Sequence, residues 1–390
     1  MSTSFWLDRS AKNEKRNFDV VVIGAGFSGL AAAFWIKKED PSLSVAVLER
    51  GRIGYGASGR NAGFITCGSV EHFNRMVNKH GLEQATAIWR FSEENLRLLE
   101  EHIIQDDPKP LQFEKKGCYS LAAVEPEFKE LQSVAQIMNK LDIPVQVFSG
   151  SEIEKSVGAR RFVGGIKYMN DASVHPVRLL ERIAQKTPGL NLFENVEVHK
   201  IEQGSSGERI LRTDDGDFEC SMVVMALNGY SAQLNPYFAD KIYPTRGQIL
   251  MMEKVPPFME GPCYANFYLD YFRQLPSGEL LIGGFRQLEK ATEVGFSDHT
   301  TDVIQDALHE FVRNHLPQYD GKRITHRWSG IMGFSKDGEP MVGSLPDDNQ
   351  VFFLGGYTGH GVGLAFHTAK CLVDVIFGRE APKWISARRF

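Results

Sequence analysis

The feature that most constrains the fold is a glycine motif near the start of the chain. Residues 24–29 read G-A-G-F-S-G, which fits the pattern G-x-G-x-x-G, and they lie between an apolar run at 18–23 and an alanine-rich segment at 30–38. The apolar run is typical of a parallel strand that is buried on both faces, and the alanine-rich segment is typical of a helix. A second apolar run at 45–49 completes a strand–helix–strand unit, which is the context in which this motif binds a dinucleotide.

The three glycines of this motif have separate roles in a dinucleotide site. Gly24 permits a tight turn, Gly26 lets the backbone approach a pyrophosphate at the helix N-terminus, and Gly29 lets the helix pack close to the strand. Glu49 ends the second strand about 20 residues later, where a carboxylate can accept hydrogen bonds from both ribose hydroxyls. Because this carboxylate would repel a 2′-phosphate, the motif predicts FAD or NAD rather than NADP, and it leaves the choice between those two open.

The size and charge of the chain exclude several classes of protein. Its 390 residues, of which 42% are hydrophobic and 24% charged, are typical of a soluble globular protein with two or three hydrophobic cores. The 44 basic and 49 acidic residues give a net charge of −5, which provides no general attraction to nucleic acid or anionic lipid. We therefore expect a small-molecule partner and no nucleic acid.

The cysteines and histidines do not form the spacings of a disulfide framework or a metal site. The five cysteines are scattered without a C-x-x-C pair, and the eleven histidines form no H-x-x-x-H pair. We expect no metal, buried thiols and a cytoplasmic location. No apolar run of secretory length follows residues 1–17, and glycines interrupt the least polar stretch at 20–36, so neither a signal peptide nor a membrane span is expected.

Two further glycine-rich segments distinguish among the proteins that bind dinucleotides. Residues 51–64 read G-R-I-G-Y-G-A-S-G-R-N-A-G-F, and residues 355–363 read G-G-Y-T-G-H-G-V-G. Together with the first motif they resemble the D-amino-acid oxidase family of FAD-dependent flavoproteins, which includes glycine oxidase, sarcosine oxidase and γ-glutamylputrescine oxidase. The resemblance extends over residues 18–377 and implies FAD as the cofactor. It is nearest to the γ-glutamylputrescine oxidase and glycine oxidase branch, and the S-F-W-L-D sequence at 4–8 resembles the putrescine-catabolic members.

This resemblance and the pattern along the chain predict an α/β protein of two domains. Helical periodicity at 72–105 is followed by extended, aromatic sequence at 243–285, and buried-strand patterns recur at 222–226 and 351–354. We expect a Rossmann-like FAD-binding domain with a parallel sheet and a substrate domain with a mixed or antiparallel sheet. The predicted division is an N-terminal arm at 1–17, an FAD-binding domain at 18–105, 150–240 and 323–390, and a substrate domain at 106–149 and 241–322.

The resemblance also implies where FAD contacts the chain. It places Ser58, Gly59 and Arg60 near the pyrophosphate and residues 61–63 along the isoalloxazine edge, while backbone amides at 359–362 would stabilise the reduced flavin. The full set of predicted cofactor residues is Gly24, Gly26, Phe27, Ser28, Gly29, Glu49, Arg50, Ser58, Gly59, Arg60, Asn61, Ala62, Gly63, Val196, Ala226, Asn228, Gly229, Gly330, Gly356, Thr358, Gly359, His360, Gly361 and Val362.

Two positions differ from the sarcosine-oxidase branch in ways that concern the flavin. Gly330 stands where that branch has a cysteine bonded to the flavin, so we expect FAD to be held without a covalent bond. Leu281 stands where that branch has an oxygen-activating lysine. The resemblance therefore leaves the electron acceptor open between oxygen and a downstream carrier.

Family members move a hydride from the carbon next to nitrogen to flavin N5, after which water hydrolyses the imine. By the resemblance, Tyr268, Tyr271 and Phe272 lie on the strand that forms the floor of the substrate domain, and Phe64 and His360 border the flavin. Amino-acid oxidases of the family hold the substrate carboxylate through two arginines, whose positions match Met332 and Gly359 here. Their loss argues against a small α-amino acid, although Arg273 could replace them. The predicted catalytic residues are His360, Arg273, Tyr271, Phe64 and Met332.

Several alternatives stay open at this point. Aromatic strand residues are more often core than pocket, His360 could brace its loop, and Arg273 could face solvent. The preferred function is FAD-dependent oxidation of a polyamine-derived or otherwise substituted amine. An α-amino-acid deaminating dehydrogenase that passes electrons to a quinone is the first alternative, and a non-catalytic flavin-binding regulatory protein is the second.

Overall fold

The structure is a computed structural model of the chain, and it describes residues 16–68, 70–266 and 270–390. Two large sheets organise these residues, and a short two-stranded ribbon lies apart from both. The predicted position of Tyr268 lies outside the described residues. So does most of the predicted N-terminal arm, including the segment at 4–8.

The strands and helices follow the chain in a mixed order. The strands are β1 (Arg16–Ile23), β2 (Val45–Glu49), β3 (Phe64–Ile65), β4 (Cys118–Ala122), β5 (Val145–Ser149), β6 (Gly164–Tyr168), β7 (Ala172–Ser173), β8 (Asn191–Glu194), β9 (Val198–Gln203), β10 (Arg209–Thr213), β11 (Phe218–Met225), β12 (Ile242–Met252), β13 (Cys263–Ala265), β14 (Asp270–Gln274), β15 (Leu280–Gly283), β16 (Ile324–Ser335), β17 (Met341–Ser344) and β18 (Val351–Gly355). The helices are α1 (Phe27–Glu39), α2 (Val70–Leu99), α3 (Glu125–Lys140), α4 (Gly150–Val157), α5 (Pro176–Gln185), α6 (Ser231–Leu234), α7 (Asp302–His315) and α8 (Gly361–Ile376).

The first sheet has a parallel centre, with its strands in the order β17, β18, β11, β1, β2 and β8. β1 runs parallel to both of its neighbours, and β9 and β10 join β11 as an antiparallel ribbon. Both faces of β1 are buried: Val20 and Val22 pack with the helices α1 and α8, while Val21 and Ile23 pack in a second core on the opposite face. Burial on both faces explains why the sequence of β1 is continuously apolar rather than alternating.

The second sheet is mixed, with its strands in the order β16, β12, β15, β14, β13, β4, β6 and β5. Neighbouring strands are antiparallel except β4 and β13, which run parallel. The predicted fold class, with a parallel and a mixed sheet, is therefore confirmed.

The strands β6 and β16 lie in segments that the predicted division assigns to the FAD-binding domain, yet they are hydrogen-bonded into this second sheet. Long-range pairing decides which sheet a strand joins, and local sequence does not record it.

The long helix α2 is broken at Gly81, whose φ of 80° and ψ of 165° are not helical. The two predicted amphipathic helices of this region are therefore present, and they meet at this kink. The second one packs on α8, where the Asn95 side chain donates to the carbonyl of Val362 and accepts from the amide of His367. The first one reaches the turn after β16, where Lys79 donates to the carbonyl of Asp337.

Three smaller features concern the predicted N-terminal arm, the cysteines and membrane-spanning helices. Arg16 and Asn17, which end the predicted arm, instead begin β1 and pair with Phe218 and Glu219 of β11. All five cysteines are buried and free. Within the described ranges, no helix combines the length and the apolar character needed to cross a bilayer.

Candidate active site

The first glycine motif forms the turn between β1 and α1. Gly24 has a φ of +105°, and a Cβ on it would lie 2.9 Å from the carbonyl oxygen of Ala226 at the end of β11. A Cβ on Gly29 would lie only 1.8 Å from the carbonyl oxygen of Gly24. Both positions therefore require glycine, the first for its backbone conformation and the second because the helix packs so close to the strand.

Glu49 lies at the end of β2 with its carboxylate buried beside this turn. Its Oε2 accepts from the amide of Ala25 and its Oε1 from the amide of Gly51, both at 2.9 Å. A carboxylate offers about four lone-pair positions, so each oxygen can accept a further hydrogen bond. The two amide bonds hold the carboxylate in place with the capacity to accept two ribose hydroxyls.

The glycine-rich loop after β2 is held by its own side chains. The Ser58 hydroxyl accepts from the amide of Phe27 at the start of α1. The Asn61 side chain donates to the carbonyl of Ser58 at 2.7 Å and accepts from the amide of Gly63 at 2.8 Å. Arg273 Nη1 in turn donates to the carbonyl of Gly63 at 3.1 Å. This network orients the loop toward the N-terminus of α1.

The second glycine-rich segment joins the same site from the other end of the chain. The Ser28 hydroxyl donates to the hydroxyl of Tyr357 at 2.8 Å, which ties the start of α1 to the segment before α8. The Asn228 side chain accepts from the amide of Gly356 at 2.9 Å. Residues far apart in the sequence therefore meet where β1, β11 and β18 end, which is where open α/β sheets bind their ligands.

A cavity of about 300 Å³ lies at this edge of the first sheet. It is lined by the turn at Gly24, by Glu49, by Ser58 and by the apolar side chains of Val196 and Leu234. The buried carboxylate at one end and the helix N-terminus beside it match the ribose and the pyrophosphate of a dinucleotide.

A second cavity of about 830 Å³ lies against the second sheet and beside the two later glycine-rich segments. Aromatic side chains form part of its wall: the ring of Phe64 packs edge-on against those of Tyr264, with centroids 5.3 Å apart, and Tyr271, with centroids 6.0 Å apart. Both cavities are lined by Ala57, Asn61, Met332, Gly359 and Val362.

These shared lining residues show that the two cavities are adjacent. Adenosine and pyrophosphate fit the smaller cavity and an isoalloxazine ring with its substrate fits the larger cavity, so the residues present suit FAD. Gly361 and Val362 lie at the N-terminus of α8, where helix amides favour negative charge such as that of a reduced flavin.

Two imidazoles lie against each other, with their planes tilted by 37°, in the wall of the larger cavity. The rings of His72 and His360 lie 4.4 Å apart. Arg75 Nη2 lies 2.7 Å from His72 Nδ1, and because a guanidinium only donates, this Nδ1 is the acceptor. His360 Nδ1 lies 3.1 Å from the carbonyl of Thr358, to which it must donate, so its Nε2 carries the lone pair.

Both imidazoles are neutral near pH 7. Burial, reinforced by the charge of Arg75, lowers the pKa of His360 to about 4. Burial also lowers the pKa of His72 well below its usual value, and His360 and Arg75 act in the same direction.

Most of the predicted site residues line this space. Those in the wall of one or both cavities are Gly24, Gly26, Phe27, Ser28, Glu49, Arg50, Ser58, Arg60, Asn61, Ala62, Gly63, Phe64, Val196, Ala226, Asn228, Tyr271, Gly330, Met332, Thr358, Gly359, His360, Gly361 and Val362. Those that support the wall from behind are Gly29, Gly59, Gly229, Arg273 and Gly356.

Arg273 and Phe272 differ from their predicted roles. Arg273 is buried with 2% exposure, and its Nη1 donates to the carbonyls of Gly63 and Val174 at 3.1 Å, so it positions the flavin-side loop and does not reach the cavity. Phe272 points to the opposite face of β14 and packs on Phe311, with ring centroids 5.5 Å apart.

Sequence reasoning missed several residues of the larger cavity. The wall also includes His72, Arg75, Tyr264, Arg286, Lys290, Phe334 and Lys336. Their local sequence carries no glycine motif or unusual spacing that would have indicated a site. Only the approach of α2 and of the turns after β15 and β16 brings them to the flavin side of the second sheet.

The sequence matches one protein family over most of its length. The model of the family described as FAD dependent oxidoreductase (DAO) covers residues 19–375. The chain belongs to this family. Its cofactor is FAD, as the resemblance predicted.

Individual relatives of this DAO chain agree with that assignment. γ-Glutamylputrescine oxidoreductase of Escherichia coli (strain K12) is 24% identical and spans 94% of this chain and 85% of its own. Glycine oxidase of Bacillus subtilis (strain 168) is 25% identical and spans 96% of this chain and 97% of its own. The names of these relatives confirm the predicted class of enzyme, an FAD-dependent amine or amino-acid oxidoreductase.

The fold has close counterparts among solved structures. Glycine oxidase from Geobacillus kaustophilus aligns with a TM-score of 0.80 at 23% identity, covering 94% of this chain and 96% of that one. L-proline dehydrogenase from P. horikoshii aligns with a TM-score of 0.79 at 19% identity, covering 95% and 96%. The DAO chain described here therefore shares their architecture.

Proposed function

We propose that this protein oxidises the carbon–nitrogen bond of an amine that also carries a carboxylate. The observation that carries the proposal is the charge of the larger cavity. Among the described residues in its wall, the arginines and lysines are Arg60, Arg75, Arg286, Lys290 and Lys336, and the only acidic one is Asp337. Arg389 donates to both carboxylate oxygens of Asp337, at 2.6 and 3.0 Å, which offsets that negative charge, and Asp298, 3.2 Å from Arg60, offsets one of the positive charges. The wall therefore remains positive through Arg75, Arg286, Lys290 and Lys336.

This charge bears on which amines can bind. A carboxylate gains charge-assisted hydrogen bonds from such a wall, whereas an unsubstituted polyamine, which is a polycation, is repelled. A polyamine-derived substrate, which the sequence favours, fits when it carries a carboxylate, as a γ-glutamyl amine does. The same positive charges, together with the aromatic wall, lower the pKa of a bound ammonium group, and the neutral amine is the form that reacts.

Arg75 is the candidate for holding the carboxylate. Its guanidinium donates from Nη2 to His72 Nδ1. Its Nη1 lies next to Gly338, where a Cβ on that glycine would be only 2.7 Å away. Arg75 lines the larger cavity, whereas Arg273, which the sequence offered for this role, does not. Carboxylate recognition by a guanidinium is typically bidentate, which fixes the orientation of the substrate as well as its affinity.

The remaining wall would orient the substrate and exclude water. Bound FAD supplies the acceptor for the hydride that leaves the substrate carbon, and water then hydrolyses the imine. Phe64, Tyr264 and Tyr271 can hold the substrate carbon and keep bulk water away. His360, which donates through Nδ1 to Thr358, keeps Nε2 as an acceptor for a substrate N–H. The chain contributes alignment and electrostatics, and no strong base is required.

The proposal is tested by matched pairs of compounds with and without a carboxylate. We expect N-methylglycine to bleach the flavin absorbance under anaerobic conditions at least about 10-fold more efficiently than dimethylamine does. A γ-glutamyl diamine should exceed the free diamine by the same factor. This factor is what one charge-assisted hydrogen bond to the carboxylate contributes. Equal efficiency within each pair would refute the carboxylate requirement. No bleaching by any amine or amino acid would instead favour the non-catalytic alternative.

A pair of arginine variants assigns the effect to one side chain. Arg75→Gln should raise the KM for the carboxylated amines by about 10-fold to 100-fold, and it should not raise the KM for amines that lack a carboxylate, because their ammonium group is repelled by Arg75. Arg327→Gln removes an exposed arginine on β16 that lies outside the cavity wall and serves as the matched control. An equal effect of both substitutions would show that only the overall charge matters.

The electron acceptor is tested separately. Leu281, which stands at the position of an oxygen-activating lysine in the sarcosine-oxidase branch, is buried in β15 and lies opposite Arg273. We propose that a carrier such as a quinone reoxidises the flavin faster than oxygen does. Mixing the photoreduced protein with air-saturated buffer or with a soluble quinone compares the two rates, and faster reoxidation by oxygen would refute this part of the proposal.

A further inference from the structure

A buried carboxyl group lies just behind the wall of the larger cavity. Asp171, directly before β7, is 7% exposed, and among the described residues its Oδ2 has no hydrogen-bond partner. The hydroxyl of Thr66 faces this carboxyl and stabilises its charged form. Thr66 also lines the larger cavity. Thr66 therefore lies between the larger cavity and a buried carboxyl group, one oxygen of which has no hydrogen-bond partner among the described residues.

A small void lies next to Asp171, in contact with a second set of side chains. Its volume of about 10 Å³ is bounded by Asp171 together with Cys67, Trp89, Ser92 and Glu93. That volume is the smallest that accommodates one water molecule, and the polar atoms around it can hydrogen-bond that water.

Glu93, on α2, continues this path to solvent. Its side chain is 20% exposed, and its Oε2 accepts from Arg90 Nη1 at 2.5 Å. The order from the cavity outward is thus Thr66, Asp171, the void, Glu93 and bulk solvent.

The surroundings of Asp171 favour the uptake of a proton. Burial raises the pKa of its carboxyl to about 8, against the opposing effect of the Thr66 hydroxyl, and the charge of Glu93 adds to the increase. The other titratable groups that feel the charge of Asp171 are the thiols and phenols of Cys67, Cys118, Tyr168 and Tyr264. Burial raises the pKa of each of these four groups, so they are neutral near pH 7 and none of them holds Asp171 ionised.

Other proton acceptors in the wall of the larger cavity are poor ones. Arginine and lysine side chains are hydrogen-bond donors and not acceptors, and Asp337 is paired with Arg389. His72 and His360 have pKa values below the usual range, so neither readily takes a proton from an ammonium group.

We propose that Thr66, Asp171 and Glu93 form a proton relay that carries the proton released by the substrate ammonium group from the cavity to solvent. The inference rests on the proposed oxidation of an amine, which must lose that proton before it reacts. The ammonium N–H bond breaks as the Thr66 oxygen takes the proton and gives its own to the unprotonated oxygen of the Asp171 carboxyl group, while the proton already on that carboxyl leaves from its other oxygen. The Asp171 carboxyl then passes a proton through the water in the void to Glu93 and solvent. No electrons are exchanged in these steps, because the hydride leaves afterwards with the C–H bond.

The relay is tested by varying the hydroxyl and the carboxyl without changing their size. In a single anaerobic turnover near pH 7, followed by flavin absorbance and a pH-indicator dye, Thr66→Val and Asp171→Asn should slow both flavin reduction and proton release by at least about 10-fold. Thr66→Ser keeps a hydroxyl and should restore the rate that Thr66→Val loses. Above the pKa of the free amine, where the substrate arrives already neutral, all variants should approach the wild-type rate.

Two results would overturn the relay. One is a wild-type rate near pH 7 in both Thr66→Val and Asp171→Asn. The other is a loss of rate that is the same at every pH, which is what a purely structural role would produce.

A second measurement does not depend on turnover. Infrared difference spectra of the resting holoenzyme, titrated from about pH 6 to about pH 10, should show the loss of a protonated carboxyl band that Asp171→Asn lacks. Absence of that band from the wild-type protein would also overturn the relay. If instead no amine reduces the wild-type flavin at any pH, the proposed function fails while the infrared titration of Asp171 is unaffected, so the two failures are distinguishable.

Discussion

Replacing Glu49 by alanine is expected to weaken the binding of FAD without unfolding the protein. The carboxylate is 8% exposed, lies in the wall of the smaller cavity and is oriented by the amides of Ala25 and Gly51. The substitution removes the acceptor for two ribose hydroxyls. It also leaves the amides of Ala25 and Gly51 without their acceptor. This free-energy cost is the same in the apoprotein and in the holoprotein, so it does not change the affinity for FAD.

The magnitude follows from these contacts. A hydrogen bond to an ionised group contributes about 1.5–3 kcal/mol, so two of them set an upper limit of about 3–6 kcal/mol. Because alanine leaves room for water to satisfy the hydroxyls, we expect about 2–4 kcal/mol, which is roughly a 30-fold to 900-fold increase in Kd. The unpaired amides should separately lower the stability of the apoprotein by about 1–3 kcal/mol each at most.

The assay is the titration of apoprotein with FAD, followed by the change in flavin fluorescence on binding. Glu197→Gln is the matched control, because Glu197 lines the same cavity but is half-exposed and lies 3.9 Å from Arg50 in a weak ion pair. We expect this control to change the Kd by less than about threefold. An unchanged Kd in Glu49→Ala, or equal losses in the two variants, would refute the assignment of Glu49 to the ribose.

Further predictions concern the flavin, the cavity and the dependence of stability on pH. Acid precipitation should release all the FAD into the supernatant, because Gly330 offers no thiol, and yellow colour in the pellet would contradict this. Met332→Arg adds a cation where the two cavities join, so benzoate binding, measured by spectral titration, should tighten by about 1–3 kcal/mol while amine oxidation slows; unchanged benzoate affinity with FAD bound would place Met332 away from the substrate. Gly29→Ala forces a Cβ to within 1.8 Å of a carbonyl oxygen, so it should abolish FAD binding or folding, and a yellow protein with an unchanged Tm would disprove that packing argument. Because burial raises the pKa of Asp171 from 3.8 to about 8, the folded chain binds a proton that the unfolded chain releases, and stability should fall as pH rises through this window; denaturant titrations of Asp171→Asn should lack that fall.

Local sequence determined the unit that binds the dinucleotide. The continuous apolar runs of β1 and β2 indicate burial on both faces of each strand. The glycines between β1 and α1 indicate a tight turn and a close approach of the helix to the strand that no side chain permits. These signals lie within a few residues of each other, so they can be read without knowing the rest of the fold. The family resemblance extended this reading to FAD and to the class of enzyme, both of which the comparisons confirmed.

Tertiary structure decided the composition of the substrate cavity. Arg273 has the chemistry for carboxylate recognition, but its position on β14 turns it toward the carbonyls of Gly63 and Val174. Arg75 has no distinguishing neighbours in the sequence, and it reaches the cavity because α2 bends at Gly81 and its first half packs against the turn after β16. The direction in which a charged side chain points depends on such packing.

The sequence by itself therefore determined the dinucleotide-binding unit, because short-range periodicity and steric demands at glycine encode it, and the resemblance of its glycine-rich segments to a known family indicated FAD and two domains. Only the tertiary structure decided that β6 and β16 belong to the second sheet, that the substrate cavity is lined by basic side chains, and that Asp171 lies unpaired behind Thr66. Each of these depends on contacts between segments that are distant along the chain. Such contacts are selected by burial and strand pairing over the whole molecule, and no local pattern of residues records them.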